Sequence, residues 1–332
     1  MPPVRRWIRR LLVACAAAFA GLVLAEGALA VFFPQPIYDI YIRDAVRGHR
    51  LEASAVRHCR TAEYRVEVRT NALGIRDREI GPKRAGERRL LCLGDSFTHG
   101  AQVSRDETFC QVLERSLGEP WEVVNAGIPG YETAHERIFL HNDLWGLEPD
   151  AVLVNFYQND VTGWRVGADG DRLRLLDGNG AFLPAPSWHS RIRNRLCSRS
   201  HLYYIVWRAL RDAHVWREAP DAQADPEAWS ATEGNLRALV EECRAHSIPV
   251  GVAVLPWYGR VLQESVDRND VHRRVPEVCA AIGVPYLDLL PSFLEDGRAS
   301  LYYRIDGHFA HDGHALAAQE IERFIREQGW VR

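Results

Sequence analysis

The chain has no CxxC pair, and none of its seven cysteines stands at Cys/His ligand spacing, which argues against a zinc or thiol-redox centre. It has no low-complexity tract and no internal repeat, so a solenoid or a disordered polymer is excluded. Net positive charge is lacking as well. The 41 Lys and Arg against 44 Asp and Glu leave a formal charge of −3, and no overall basic field argues for a nucleic-acid partner. What remains is ordinary globular composition, 47% hydrophobic and 26% charged over 332 residues, enough for one large domain or two small ones. Cys15 falls in an N-terminal apolar run and Cys92 in an expected core strand. Cys59 and Cys197 fall in less regular segments and can pair in an exported chain, although nothing in the sequence pairs them.

One long hydrophobic run breaks the mixed pattern. Arg5, Arg6, Arg9 and Arg10 precede residues 11–33, which are apolar except for Glu26. At ~1.5 Å rise per residue this run is long enough to span a bilayer. The basic flank stays cytoplasmic, which sends the rest outward. The expectation is a single-pass inner-membrane anchor with an extracytoplasmic, periplasmic catalytic domain. The rival is export after signal-peptide cleavage at Ala28-Leu29-Ala30. Apolar residues continuing to Phe33 favour the anchor. No polar face interrupts residues 11–25, so a surface amphipathic helix is set aside.

Residues 34–86 are polar and mixed. Only Tyr64-Arg65-Val66-Glu67-Val68-Arg69 alternates, so this region reads as a linker with a small strand. From Arg89 the pattern becomes βαβα. Strands are expected at 90–93, 122–125, 151–156, 249–255 and 284–287, and helices at 109–117, 133–144, 228–246, 271–282 and 315–327. Such alternation predicts a parallel sheet covered on both faces with right-handed crossovers. Residues 163–226 lack clean periodicity and are too long for an ordinary connection. They are expected to form an irregular insertion, a lid or a cluster of short helices within a catalytic domain spanning 87–332.

The chemistry falls at strand ends. Leu90-Leu91-Cys92-Leu93 runs into Gly94-Asp95-Ser96, which puts Ser96 at the carboxyl end of a buried strand. Gly130 follows strand two, Asn159 and Asp160 follow strand three, and Asp306 and His308 precede the last helix. In a parallel sheet these ends converge on one edge. A serine hydroxyl is a weak nucleophile until a base takes its proton. His308 is the candidate base, and Asp306 can hold its tautomer and stabilise the imidazolium. The N–H groups of Ser96 and Gly130 and the amide of Asn159 can supply an oxyanion hole. Asp95 reads as a turn-bracing residue instead. His311 and His314 invite a metal reading with His308, but Gly307, Asp312 and Gly313 indicate a loop instead of one helical face, so no metal and no cofactor are expected. Trp257 and Tyr258 follow strand four and either line an acyl or sugar pocket or simply pack.

Gly94-Asp95-Ser96, Gly130 within Asn125-Ala-Gly-Ile-Pro-Gly130, Asn159-Asp160, and Asp306-Gly-His308 followed by Gly313-His314 resemble the signature blocks of the SGNH (GDSL) hydrolase superfamily over roughly 66–328. The resemblance implies a flavodoxin-like three-layer α/β/α sandwich with a five-stranded parallel sheet. It implies Ser96 as nucleophile, His308 as base, Asp306 as orienter, and Ser96, Gly130 and Asn159 as oxyanion donors. The N-terminal helix with Asn71-x-x-Gly-x-Arg76 resembles a membrane-anchored bacterial envelope subset. Three positions depart from the usual pattern. Tyr157 replaces a glycine, Asp306-x-His308 is shorter than Asp-x-x-His, and Phe309-Ala310 follows the histidine. The short spacing resembles the polysaccharide O-acetyltransferase branch as much as the free esterases.

The leading expectation is an esterase acting through a Ser96 acyl-enzyme on an ester-bearing small molecule, lipid or glycan in the cell envelope. The alternatives are an O-acyltransferase on an envelope glycan and a catalytically degenerate glycan-binding module.

Overall fold

The computed structural model describes residues 2–37, 39–177, 180–183, 188–218, 225–262 and 271–331. In chain order the helices are α1 (Pro2–Phe32), α2 (Ser96–His99), α3 (Phe109–Leu117), α4 (Thr133–Phe139), α5 (Trp188–Cys197), α6 (His201–Glu218), α7 (Pro226–Ala245), α8 (Tyr258–Leu262), α9 (Val271–Ile282), α10 (Leu290–Asp296) and α11 (His311–Glu327). The strands are β1 (Tyr41–Asp44), β2 (Gly48–Leu51), β3 (Val56–Arg60), β4 (Arg65–Arg69), β5 (Arg88–Gly94), β6 (Trp121–Gly127), β7 (Ala151–Phe156), β8 (Arg165–Asp169), β9 (Arg172–Leu176), β10 (Val250–Val254) and β11 (Tyr286–Asp288). The chain divides into two compact units, one made of residues 1–39, 58–65 and 187–219 and the other of the remainder.

The larger unit is built on a five-stranded parallel sheet in the order β11-β10-β7-β5-β6. Counted along the chain this is 2-1-3-4-5, the flavodoxin-like order, with the switch point between β5 and β7. The expected α/β sandwich is therefore the observed one. Strands β6, β7 and β10 are buried along their whole length, and β5 from Arg89 onward, as continuous apolar runs require in a sheet covered on both faces. Alternate residues face opposite sides. Leu90, Cys92 and Leu153 pack with Phe109, Leu113, Ala317, Ile321 and Phe324 from α3 and α11. The outer edge of β6 takes no further strand. Its N–H groups are met by carboxylates, Asn125 N donating to Asp77 Oδ2 (2.8 Å) and Val123 N to Glu114 Oε2 (2.7 Å), which closes an edge that would otherwise invite pairing.

Three expectations need correction. Residues 34–86 are more than a linker, for they hold the antiparallel hairpin β1–β2 and the two-stranded sheet β3–β4. The 163–226 stretch opens with a regular hairpin, β8–β9, whose Leu173 and Leu175 pack on Ala134 and Ile138 of α4. It continues with α5 and α6; its residues 178–179, 184–187 and 219–224 lie outside the described residues. The last helix starts at His311, not 315, because Gly313 sits inside it against the Leu301 backbone.

In the smaller unit, α1 carries the 27-residue apolar stretch Arg6–Phe32, long and apolar enough to cross a membrane. Its one acidic residue has a defined partner. Glu26 accepts from Ser200 Oγ (2.8 Å), His201 N (2.8 Å) and Leu202 N (3.0 Å), capping the first turn of α6 where N–H groups lack intrahelical acceptors.

Candidate active site

Ser96 is positioned by the sharp turn out of β5. Gly94 takes φ +157°, and a Cβ there would lie 2.1 Å from Thr98 Oγ1, so only glycine lets the strand turn this tightly into α2. Asp95 caps that short helix, its Oδ1 accepting from Phe97 N at 2.9 Å. Asp95 is wholly buried. Burial pushes its carboxyl up, against the lowering effect of the Phe97 N–H, the nearby His308 and the Asn159 amide.

Asp306 and His308 stand in a tight loop between the single helical turn Ala299–Leu301 and α11. Gly307 N donates to Tyr303 O (2.8 Å) and Tyr303 N to His308 O (2.9 Å), closing the loop at both ends. Phe309, fully buried, anchors it by stacking on Phe293 (4.9 Å) and meeting Phe97 edge-on (4.8 Å). With the loop so held, the two-residue spacing suffices. His308 Nε2 lies 2.8 Å from Ser96 Oγ, and His308 Nδ1 lies 2.5 Å from Asp306 Oδ1. A carboxylate only accepts, so Nδ1 carries the proton and Nε2 is left to accept from the serine. Burial pulls the His308 imidazole down. The hydrogen bond and charge of Asp306, with the charge of Asp95, more than offset this and leave it above its ordinary value.

Asn159 follows β7, across the switch point. Its amide Nδ2 donates to Asp95 Oδ2 at 2.8 Å, which leaves the second amide hydrogen of that nitrogen for another acceptor. The neighbouring Asp160 fixes the turn. It accepts from Tyr157 N (2.8 Å) and Thr133 Oγ1 (2.9 Å), and burial drives its carboxyl well up. Gly130 lies on the adjacent loop after β6, tied to the end of β5 by Ile128 N donating to Gly94 O (3.0 Å). Among the described residues no backbone carbonyl accepts from the Gly130 N–H.

Direct contacts thus join Ser96, His308, Asp306, Asp95 and Asn159, and Gly130 stands one loop away. Trp257 and Tyr258 follow β10, and Tyr258 is linked to the loop of His308 through Tyr302, whose ring lies 5.3 Å from that of Phe309. Tyr258 meets Tyr302 edge-on at 5.6 Å, and Trp257 lies over Gly259 with 37% of its surface exposed. His314 is not a ligand-like surface group. It is buried in α11 with Phe109 N donating to its Nδ1 (3.2 Å), and burial and the charge of Arg76 hold it down at about 3. Among the described residues no cluster of His, Cys, Asp and Glu is arranged to hold a metal.

Sequence reasoning missed several supports. Gln102 Nε2 donates to Asp306 Oδ1 at 3.1 Å, a contact with no local pattern to announce it. Phe97 lies between Tyr157 (4.3 Å) and His308 (4.6 Å), which gives the tyrosine in the usual glycine position a packing role. Arg76, fully buried, donates to His99 O (3.1 Å), Gly100 O (2.6 Å) and Val103 O (2.7 Å) at the end of α2. The Asn71-x-x-Gly-x-Arg76 segment was the available signal for it.

Fold and residues together define the class, an ester-cleaving α/β/α hydrolase. The profile of the GDSL-like lipase/acylhydrolase family matches residues 92–316, more than half of the chain, and the chain belongs to that family. Among solved structures it is similar to the lipase/acylhydrolase from Enterococcus faecalis (17% identity, TM-score 0.46, covering 73% of this chain and 96% of that one). It is also similar to the psychrotrophic esterase EstA from Pseudoalteromonas sp. (13%, 0.44, 73% and 98%) and to an acetyl xylan esterase (15%, 0.45, 70% and 97%). No curated protein matches it.

Proposed function

We propose that the protein is a serine esterase that works through an acyl-enzyme at Ser96. The observation that carries this reading is the unbroken relay from Asp306 through His308 to Ser96, at 2.5 and 2.8 Å. Ser96 Oγ attacks the ester carbonyl carbon while its proton passes to His308 Nε2. The carbonyl oxygen, now negative, is met by the N–H groups of Ser96 and Gly130 and the free amide hydrogen of Asn159. Collapse breaks the ester C–O bond, and His308 returns the proton to the departing alcohol. Water, deprotonated by the same imidazole, then cleaves the acyl-enzyme and releases the acid. The contacts at 2.5 and 2.8 Å favour the esterase over the glycan-binding alternative.

A sugar hydroxyl in place of water makes the same site an O-acyltransferase, and the short Asp306-x-His308 spacing is the observation that favours it. We place the site on the outer side of a membrane, with α1 as a retained anchor. Cleavage after Ala30 would remove Glu26 and leave the first turn of α6 without its cap.

The test uses the full chain in detergent. Wild type is expected to label with a fluorophosphonate probe, and Ser96→Ala is not. Absence of labelling in wild type would overturn the reading. Acetate release from a labelled-competent enzyme that accelerates only with an added glycan acceptor identifies the transferase; acceptor-independent release identifies the esterase.

A further inference from the structure

The hairpin ahead of the parallel sheet reaches the Gly130 loop at one side chain. In β1–β2, Arg43 pairs with His49 and Asp44 with Gly48. Asp44 Oδ1 accepts from Val46 N and Arg47 N, both 2.8 Å, which closes the turn. The hairpin is fixed from outside by Arg47, whose guanidinium lies 4.4 Å over the Phe139 ring and pairs with Asp143 at 3.4 Å. From this mount His49 Nε2 lies 2.9 Å from the Pro129 carbonyl oxygen. Tyr131 OH donates to His49 O (3.0 Å), and the two rings meet edge-on at 5.2 Å.

Residues 128–131 form a β-turn, with Tyr131 N donating to Ile128 O at 3.0 Å. Proline at its second position and Gly130 with φ +77° at its third are the features of a type II turn. Type I and type II turns differ by a flip of the central peptide, here Pro129–Gly130. That unit is planar, so its carbonyl and its N–H point opposite ways. Whatever holds the Pro129 carbonyl therefore aims the Gly130 N–H. A carbonyl cannot donate, so His49 Nε2 is the donor and carries a proton. Burial keeps the imidazole below its ordinary value, consistent with a neutral ring.

We propose that His49 is a positioning residue of the oxyanion hole: by donating to the Pro129 carbonyl it holds and polarises the peptide whose Gly130 N–H meets the developing oxyanion. The proposal rests on the reading of Gly130 as an oxyanion donor in a Ser96 esterase. Hydrogen bonding at one end of an amide strengthens the donor at the other, so the effect is both geometric and electronic.

The experiment compares His49→Leu, which keeps apolar volume against Tyr131 but has no donor, with His49→Gln, whose amide N–H reaches as far as Nε2. Both are made in the full chain in detergent and assayed on p-nitrophenyl acetate, with thermal melting as the check on folding. Removing an oxyanion donor costs about 10²–10³ in kcat, and a misaimed one less, so His49→Leu is expected to lower kcat by about 10–100-fold with KM unchanged. His49→Gln is expected to recover most of that loss. A folded His49→Leu within about twofold of wild type, a loss carried by KM, or equal losses in both variants would overturn the proposal. If His49→Leu does not fold, His49→Asn replaces it. Its donor is too short to reach Pro129 O, and activity equal to that of His49→Gln would refute the assignment. An inactive, unlabelled wild type refutes the esterase reading instead; an active wild type with indifferent His49 variants refutes only this one.

Discussion

Arg76→Met removes a buried cation while keeping a long side chain, and its effect can be worked from the contacts. The guanidinium serves three carbonyls, those of His99, Gly100 and Val103, at 3.1, 2.6 and 2.7 Å, with no exposed surface. Gly100 O also accepts from Val103 N at 3.3 Å, so the carbonyls of His99 and Val103 are the ones that lose their donor; at about 1–3 kcal/mol each the gross loss is about 2–6 kcal/mol. Against this, methionine relieves the several kcal/mol of burying a charge. The net expectation is a loss of ~1–3 kcal/mol, since the partners left behind are neutral carbonyls and not an orphaned charge. Against a total of about 5–15 kcal/mol that is a large fraction. The carbonyls close α2, whose first residue is Ser96, so the lost bonds also loosen the nucleophile's frame. Arg76→Lys keeps the charge but not the fork, and should fall between the two. Urea and thermal unfolding of the full chain in detergent give the stability, and the fluorophosphonate labelling rate gives the effect on Ser96. Burial first, and then the charge of Arg76, hold His99 and His314 at about 3, so in the wild-type protein both rings are neutral and Arg76 is the cation at this end of α2. An Arg76→Met protein within about 1 kcal/mol of wild type, labelling at the wild-type rate, would refute this account.

Asp306→Asn is expected to cost about 10⁴ in kcat, because the amide neither fixes the Nδ1–H tautomer reliably nor stabilises the imidazolium; a loss below about thirtyfold would remove Asp306 from the relay. His308 must be neutral to act as base, and its pKa is raised, so activity is lost as pH falls through a value above 6.5. Asp306→Asn should move that acid limb to lower pH, and an unmoved limb would count against the Asp306 contact as its cause. Asn159→Ala should cost ~2.7–4 kcal/mol of transition-state stabilisation, and an unchanged rate would leave Asn159 only its bond to Asp95. Mass analysis of the mature protein should find α1 intact; a start at Val31 would show that the Glu26 cap on α6 is discarded after export.

The parts of this molecule that could be read from the chain are those whose residues answer to local physics. Leu90–Leu93, Val123-Val124 and residues 151–154 are apolar on both faces, and only a strand buried between two helical layers wants that. The hairpin β8–β9 was legible too, since Asp169-Gly170 between alternating Arg172–Leu176 and its partner is a turn signal, but the surrounding Arg and Gly obscured it. The hairpin β1–β2 was not legible, because Tyr41–Asp44 and Gly48–Leu51 are short and polar, and what holds them is tertiary: the Asp44 side chain within the turn and Arg47 on Phe139 and Asp143. The same division runs through the site. The candidate catalytic residues sit at strand ends and in the last loop, where topology announces them. Gln102, Arg76 and His49 act through bonds to a carboxylate or to carbonyls whose partners lie 204, 24 and 80 residues away. No spacing rule reaches across such gaps. A segment that looks like tether in the sequence therefore carries side chains bonded to the candidate site's loops, and trimming the chain to the family-matched residues 92–316 would remove both Arg76 and His49. Such a truncated protein should label slowly or not fold, even though it keeps Ser96, Asn159, Asp306 and His308.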